Sequence, residues 1–138
     1  MESIEMGTRE NQDSLDKLAA KYGANLAHEI YQAFKDAKKT ETFIITALGV
    51  LQEQGMYALV LFCRAQGTRE KAGADKIEQY SRTILKDELS VIDTSKDLLK
   101  EILGLASQPN FENLLLADQV IEKTLIYARY HAKALSPP

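Results

Sequence analysis

The sequence predicts an all-α protein: a compact bundle of five to six helices with long first and last helices. Apolar residues recur at helical spacing through most of the 138 residues. Alternating runs typical of strands are absent, and only three prolines occur, two of them at the C-terminal end. This length and composition suit one domain with a real core, so we expect residues 13–138 to form a single helical domain after a flexible segment, 1–12.

The first helix is predicted to begin near Asp13, a plausible N-cap, and to run to about Ala37. One side of this helix is apolar and is expected to face the core. Its members are Leu15, Leu18, Ala19, Tyr22, Leu26, Ile30, Ala33 and Ala37.

The next two helices form a predicted buried hairpin, FIITALGVLQEQGMYALVLFCRAQG, from Phe43 to Gly67. Apolar residues follow helical spacing on both sides of Gly55, which interrupts the pattern. Because glycine adopts positive φ without steric cost, Gly55 is expected to end one helix and start the next.

Three further helices are predicted after a turn at 67–73. The fourth helix is expected at about 75–89, and a short fifth helix is expected to be capped by Asp93 or Thr94. Asn110 can cap the last helix, which extends almost to the C-terminal prolines.

Composition excludes several classes of protein. Cys63 is the only cysteine, so neither an internal disulfide nor a cysteine-based zinc cluster is possible, and its apolar neighbours indicate a core residue. The apolar runs are too short to span a membrane, and the N-terminus lacks the pattern of a signal peptide, so we expect no membrane association and a cytoplasmic location. The net charge of −3 gives no general attraction to nucleic acid, but acidic residues concentrate in 1–16 and 87–118 and basic residues elsewhere.

No catalytic set emerges from the sequence. His28 and Glu29 are followed by Gln32, where a zinc protease needs its second histidine, and GTREKAG at 67–73 lacks the Lys-Ser or Lys-Thr of a phosphate loop. We therefore expect no enzyme, no metal and no cofactor. A cleft joining His28 or His131 to a carboxylate would reopen an enzymatic interpretation.

Cationic side chains provide the remaining pattern. At about 100° per residue, five of them fall within a narrow sector of the predicted first helix, opposite its apolar side. Others surround the central turn or lie on the flanks of the last helix. Such surfaces can neutralise phosphates without reading sequence. The candidate RNA-binding residues are Lys17, Lys21, His28, Lys35, Lys39, Arg64, Arg69, Lys71, Lys76, Lys123, Arg129 and Lys133. Lysines on a solvent-facing helix side are also common without any ligand.

Three segments resemble the small, all-helical subunit of type III-B (Cmr-type) CRISPR effector complexes. They are YGANLAHEIYQAF, ITALGVLQEQGMYALVLFCRAQG and NLLLADQVIEKTLIYARYHAKAL, in the family's order and spacing, and the resemblance extends from about Asp13 to Leu135. Gln54 and Met56 flank Gly55 where that family more often has asparagine and leucine, so the related small subunit of the III-A class remains an alternative.

The resemblance implies a non-catalytic role in antiviral defence. Members of this family stack on copies of themselves as the inner filament of the effector, contact its other subunits, and touch the backbone of the target RNA in the guide RNA–target RNA duplex. The two charge poles are compatible with head-to-tail contact between unlike patches. A helical adaptor that binds a protein partner without RNA contact is the alternative function.

Overall fold

The computed structural model describes residues 2–93, 96–107 and 111–135, with side chains from Gln12 onward, as an all-helical bundle without strands in those ranges. This confirms the predicted fold class and the long first and last helices. The helices are α1 (Glu2–Phe34), α2 (Ala37–Gln54), α3 (Met56–Arg64), α4 (Lys71–Thr83), a π-helical segment (Ile84–Glu88), α5 (Leu98–Leu105) and α6 (Phe111–Leu135).

Both predicted ends of α1 are wrong. The helix begins at Glu2 rather than near Asp13, and it ends at Phe34 rather than near Ala37. Lys35 adopts φ 57°, a left-handed conformation that stops a helix. The flexibility predicted for residues 1–12 stays a prediction, since side chains before Gln12 lie outside the described residues.

The hinge predicted at Gly55 is confirmed. Gly55 has φ 92° and ψ −177°, a backbone conformation almost restricted to glycine, and its N–H donates to the Leu51 carbonyl at 2.9 Å. On either side of it, Leu51 and Met56 are buried, together with Ile44, Ala47, Leu48, Leu59, Val60 and Cys63. The hairpin therefore supplies a large part of the core.

Helices α1 and α6 pack side by side and run in the same direction. Leu15 shares a groove with Val120, and further along α1 Gly23 lies against Tyr127 and Ala128. A Cβ at Gly23 would stand 2.7 Å from the Tyr127 Cβ, so only glycine permits this approach. The intervening helices return the chain to the starting end and complete the bundle.

Helix α4 runs antiparallel to α1 and starts earlier than predicted. Gly73, expected in the turn, lies inside α4 against the Phe34 ring, and Lys76 is 3.9 Å from Glu29. The predicted continuation of an α-helix to Leu89 is replaced by the π-helical segment, in which the Leu89 N–H donates to the Ile84 carbonyl at 2.9 Å.

Helix α5 is capped by Asp97, whose carboxylate accepts from the Leu99 N–H at 3.2 Å. The prediction of Asp93 as the cap is therefore wrong. The other proposed cap, Thr94, and the cap proposed for α6, Asn110, lie outside the described residues.

Candidate nucleic-acid interface

The first half of the predicted basic row lies where the helical spacing places it. Lys17, Lys21 and His28 are exposed on the side of α1 opposite the buried residues Ala19 and Ile30. Within the described ranges, none of these three side chains has an ion-pair or hydrogen-bond partner. Their polar tips are therefore available to a ligand.

The second half of the row does not continue along one helix. The reversal at Lys35 separates α1 from α2, and the Asp36 carboxylate accepts from the Lys39 N–H at 2.9 Å as the N-cap of α2. Lys39 therefore belongs to α2, which corrects the prediction of five cations on the first helix. Lys35 is exposed at the junction of the two helices.

A second group of cations assembles at this junction. The Lys39 ammonium donates to the Arg69 carbonyl at 3.1 Å and lies 4.6 Å from the centre of the Phe34 ring, a cation–π distance. We call Lys35, Lys38, Lys39 and Arg69 the basic corner. The sequence prediction missed Lys38, although the cation density of KDAKK at 35–39 was a signal for it.

Carboxylates offset the basic corner only in part. Asp36 is engaged as the α2 cap, and Glu41, largely buried, lies 3.5 Å from the Lys38 ammonium. Glu70 follows Arg69 directly along the chain. By sequence, the segments 35–41 and 69–70 together contain four cations and three carboxylates, a positive balance in a chain of net charge −3.

Other candidate cations are already paired inside the protein. The Arg64 guanidinium donates to both Glu78 oxygens, at 3.0 and 3.1 Å, and to both Asp97 oxygens, at 3.2 and 2.8 Å. Four hydrogen bonds use most of its five N–H donors. Bonds to Glu78 and then Asp97 raise the pKa of Arg64, and the bond from Arg64 lowers the pKa of Asp97. Arg64 is thus a structural clamp.

Three lysines from the candidate set have weaker intramolecular partners. Lys71 lies 3.2 Å from Asp75, Lys76 lies 3.9 Å from Glu29, and Lys123 lies 3.3 Å from Asp16. These pairs are largely solvent-exposed, so they reduce the local positive charge without contributing much to stability. In contrast, Arg129 and Lys133 are exposed on α6 with no partner in the part of the chain that the structure describes.

A groove lies between α2 and α3 beside the basic corner. It has a volume of about 500 Å³, and the Phe43 and Phe62 rings line it. These two rings are stacked with centroids 5.7 Å apart, and Phe34 meets Phe43 edge to face at 5.5 Å. The groove therefore combines an aromatic lining with cationic side chains at its edge.

The outer face of the α2–α3 hairpin is nearly free of charge. Ile45, Tyr57 and Leu61 are exposed there by 39%, 37% and 45%. In the hairpin from Phe43 to Cys63 the sequence contains a single charged residue, Glu53. Apolar groups exposed on such a surface are typical of contact with another protein.

The cysteine and the two histidines of the chain lie in different surroundings. Burial is the main cause that raises the pKa of the Cys63 thiol to about 12, so Cys63 remains an unreactive thiol at neutral pH. His28 and His131 are exposed, and neither hydrogen-bonds to a carboxylate among the described residues. The same part of the chain contains no group of three histidine, cysteine or acidic side chains placed to hold a metal ion. Its helices also include none with the length and apolar character needed to cross a membrane.

Comparison with protein-family models, with curated proteins and with solved structures gives no match to this chain.

Proposed function

We propose that this protein is a non-catalytic small subunit of a type III CRISPR RNA-guided effector complex, of the III-B or III-A class. In this role it stacks with copies of itself along the inner filament and contacts the backbone of the target RNA. The observation that carries the proposal is the row of exposed, unpaired cations on α1, which complements the sequence resemblance.

The geometry of α1 suits phosphate contact. Lys17 and Lys21 lie one turn apart, and Lys35 follows directly after the end of α1 at Phe34, roughly 27 Å from Lys17 at 1.5 Å per residue. The opposite side of α1 is buried, so the cationic side is held at a fixed orientation. A rigid row of this length can follow several phosphates, and such contacts do not depend on base sequence.

The overall charge explains why an assembly is needed. An isolated chain of net charge −3 repels a polyanion at long range, so the free subunit should bind RNA weakly. In a stack, each acidic stretch meets a basic surface of the next copy, and the remaining cations line one side of the filament. The uncharged hairpin face then contacts other protein subunits.

The test is charge reversal in the assembled complex. Lys17→Glu, Lys21→Glu and Lys35→Glu together should lower target RNA binding and reduce the slope of log K against log salt by about 2 or more, since each lost phosphate contact removes about 0.7 to 0.9. The control reverses Lys86, an exposed lysine outside both the candidate set and the acidic stretch 87–118, and it should change neither binding nor slope. An intact complex with unchanged binding and slope would remove the row from the proposal.

A helical adaptor without RNA contact is the second candidate, favoured by the exposed Ile45, Tyr57 and Leu61. Purification from the native source separates the two. Guide RNA and several larger subunits accompany an effector subunit, whereas a single protein partner and no RNA accompany an adaptor.

A further inference from the structure

We infer that the groove between α2 and α3 binds one unpaired and unstacked nucleotide of the target RNA, with its base against Phe62 and its phosphate beside Lys38. The inference deepens the proposed function and rests on it, because it assigns a base contact in addition to the backbone contacts of α1. Three features of the groove carry it: its aromatic lining, its polar walls and the cations at its edge.

The aromatic lining consists of one buried ring and one partly exposed ring. Phe43 is buried and fixes the Phe62 ring through the stacked contact at 5.7 Å, while Phe62 itself is only partly buried. A volume of about 500 Å³ falls within the range of small-molecule sites. Every nucleobase has an aromatic face, so stacking on a partly exposed phenylalanine accepts any base.

The walls present hydrogen-bonding groups to a base. The Gln66 amide donates from Nε2 to the Phe62 carbonyl at 2.8 Å, which leaves its Oε1 as a free acceptor for an exocyclic amino group. The Thr46 hydroxyl donates to the Thr42 carbonyl at 2.9 Å, so its lone pairs remain available. Both groups are uncharged and can form hydrogen bonds with a base edge.

Lys38 and Lys39, at the edge of the groove, differ in how firmly their side chains are held. Lys39 is held in place by the Arg69 carbonyl and the Phe34 ring, so it contributes fixed positive charge. The Lys38 side chain is 82% exposed and only 3.5 Å from Glu41 at its tip, so it can turn toward a phosphate. Glu70 lines the same groove and disfavours a second phosphate there, which limits the site to one nucleotide.

This charge pattern selects RNA over an apolar protein segment as the occupant. A hydrophobic side chain would gain from the phenylalanines but nothing from the basic corner, whereas a nucleotide uses both. The uncharged outer face of the hairpin is the better surface for protein contact.

The experiment uses the assembled complex and the free full-length chain with RNA carrying a single 2-aminopurine. This chain has no tryptophan, so in the free chain the probe's fluorescence is read without interference from tryptophan. Binding should quench the probe at one position. An abasic nucleotide at that position should weaken binding roughly tenfold, since stacking on an aromatic side chain contributes about that much.

Protein variants provide the second arm. Phe62→Leu keeps apolar volume but removes the stacking surface, and it should abolish quenching and make intact and abasic RNA bind equally. Phe111→Leu, at an exposed phenylalanine on α6, is the matched control and should change neither quantity. Lys38→Gln should weaken intact and abasic RNA by the same factor, because it removes a phosphate contact.

The outcomes separate this inference from the proposed function. Equal binding of intact and abasic RNA by the unaltered protein, with the salt dependence retained, overturns the base site and leaves the α1 contact in place. Protection or crosslinking of Phe62 by a protein subunit also overturns it. The absence of any RNA in the purified assembly overturns both.

Discussion

The contact between α1 and α6 is closed within the chain, whereas one side of the α2–α3 hairpin is left open. In the α1–α6 pair, a Cβ on Gly23 would meet the Tyr127 Cβ at 2.7 Å and the Thr124 carbonyl at 2.8 Å. On the α2–α3 hairpin, a Cβ on Gly49 would meet nothing within 4 Å. Ile45 on α2 and Leu61 on α3 are also exposed. The first surface is complete, and the second is left open.

Polar contacts reinforce the difference. Asp16 accepts hydrogen bonds from the Tyr127 hydroxyl at 2.7 Å and from Lys123 at 3.3 Å, and these bonds lower the pKa of Asp16. Within the described ranges, no such side-chain hydrogen bond links Ile45, Tyr57 or Leu61 on the outer face of the hairpin to another helix. Close packing and satisfied charges thus mark the contact that holds the fold, and uncharged apolar exposure marks the surface that we propose for assembly.

The largest effect on the free energy of unfolding is expected when alanine replaces Gly23, and Gly49 provides the comparison. Gly23→Ala should lower the free energy of unfolding by about 2–3 kcal/mol, because the new methyl group meets backbone atoms that cannot move independently. Gly49→Ala should raise the same quantity by roughly 0.5–1 kcal/mol, because alanine favours an open helical position.

Urea denaturation measures both changes, and each variant serves as the control for the other. Equal and small effects at the two positions would mean that α1 and α6 do not approach as closely as described.

The next effect concerns the Arg64 clamp. Arg64→Met should lower the free energy of unfolding by about 1 kcal/mol at pH 7, since it breaks the two hydrogen bonds to the partly buried Glu78. Lys71→Met, which breaks the exposed pair with Asp75, should change it by less than about 0.5 kcal/mol.

The pH dependence gives a further check on the clamp. The pKa of Asp97 is lowered below its ordinary 3.8 in the folded protein, so this stabilisation is complete at neutral pH and is lost as the pH falls through the folded value. The gap in stability between the unaltered protein and Arg64→Met should therefore narrow below about pH 4. A gap that stays constant down to pH 2 would exclude Asp97 as the partner that matters.

The smallest effect on stability is expected on the open face. Leu61→Lys should leave the free energy of unfolding within about 0.5 kcal/mol, because the side chain is already exposed. It should nevertheless prevent incorporation into the assembly, since it places a charge in a surface that we propose to be covered.

Leu103→Lys, at an exposed leucine on α5, is the matched control for Leu61→Lys and should incorporate normally. Quantitative co-purification compares the two. Normal incorporation of both variants would leave the hairpin face without a role.

Local sequence patterns predicted the helices and most of their buried sides, although Ala33, which was predicted on the buried side of the first helix, is exposed. Helical spacing identified residues such as Leu26 and Ile30 on α1 and Leu125 and Ala128 on α6, all of which are buried. Gly55 was predictable because a break between two apolar stripes needs a residue that tolerates positive φ. These features depend on interactions within a few residues, which the sequence displays directly.

Helix ends were less predictable because several residues compete for each cap. Asp93 and Asp97 are equally suited to cap α5 by local criteria. Asp97 is the cap in the structure, and its carboxylate also accepts a hydrogen bond from Arg64, 33 residues away. Lys35 likewise gives no local sign of a left-handed conformation. The candidate interface shares this limit: no spacing rule places Arg69 beside Lys39 or pairs Arg64 with two carboxylates.

The amino-acid sequence alone determined that this protein is a helical bundle, because apolar residues that recur with a period of 3.6 fall on one side of the chain only in an α-helix. Only the tertiary structure decided which cations are consumed by internal carboxylates and which remain free, and it alone created the groove lined by Phe43 and Phe62. Such pairings depend on distances between segments far apart in the chain, and those distances are set by how the helices pack.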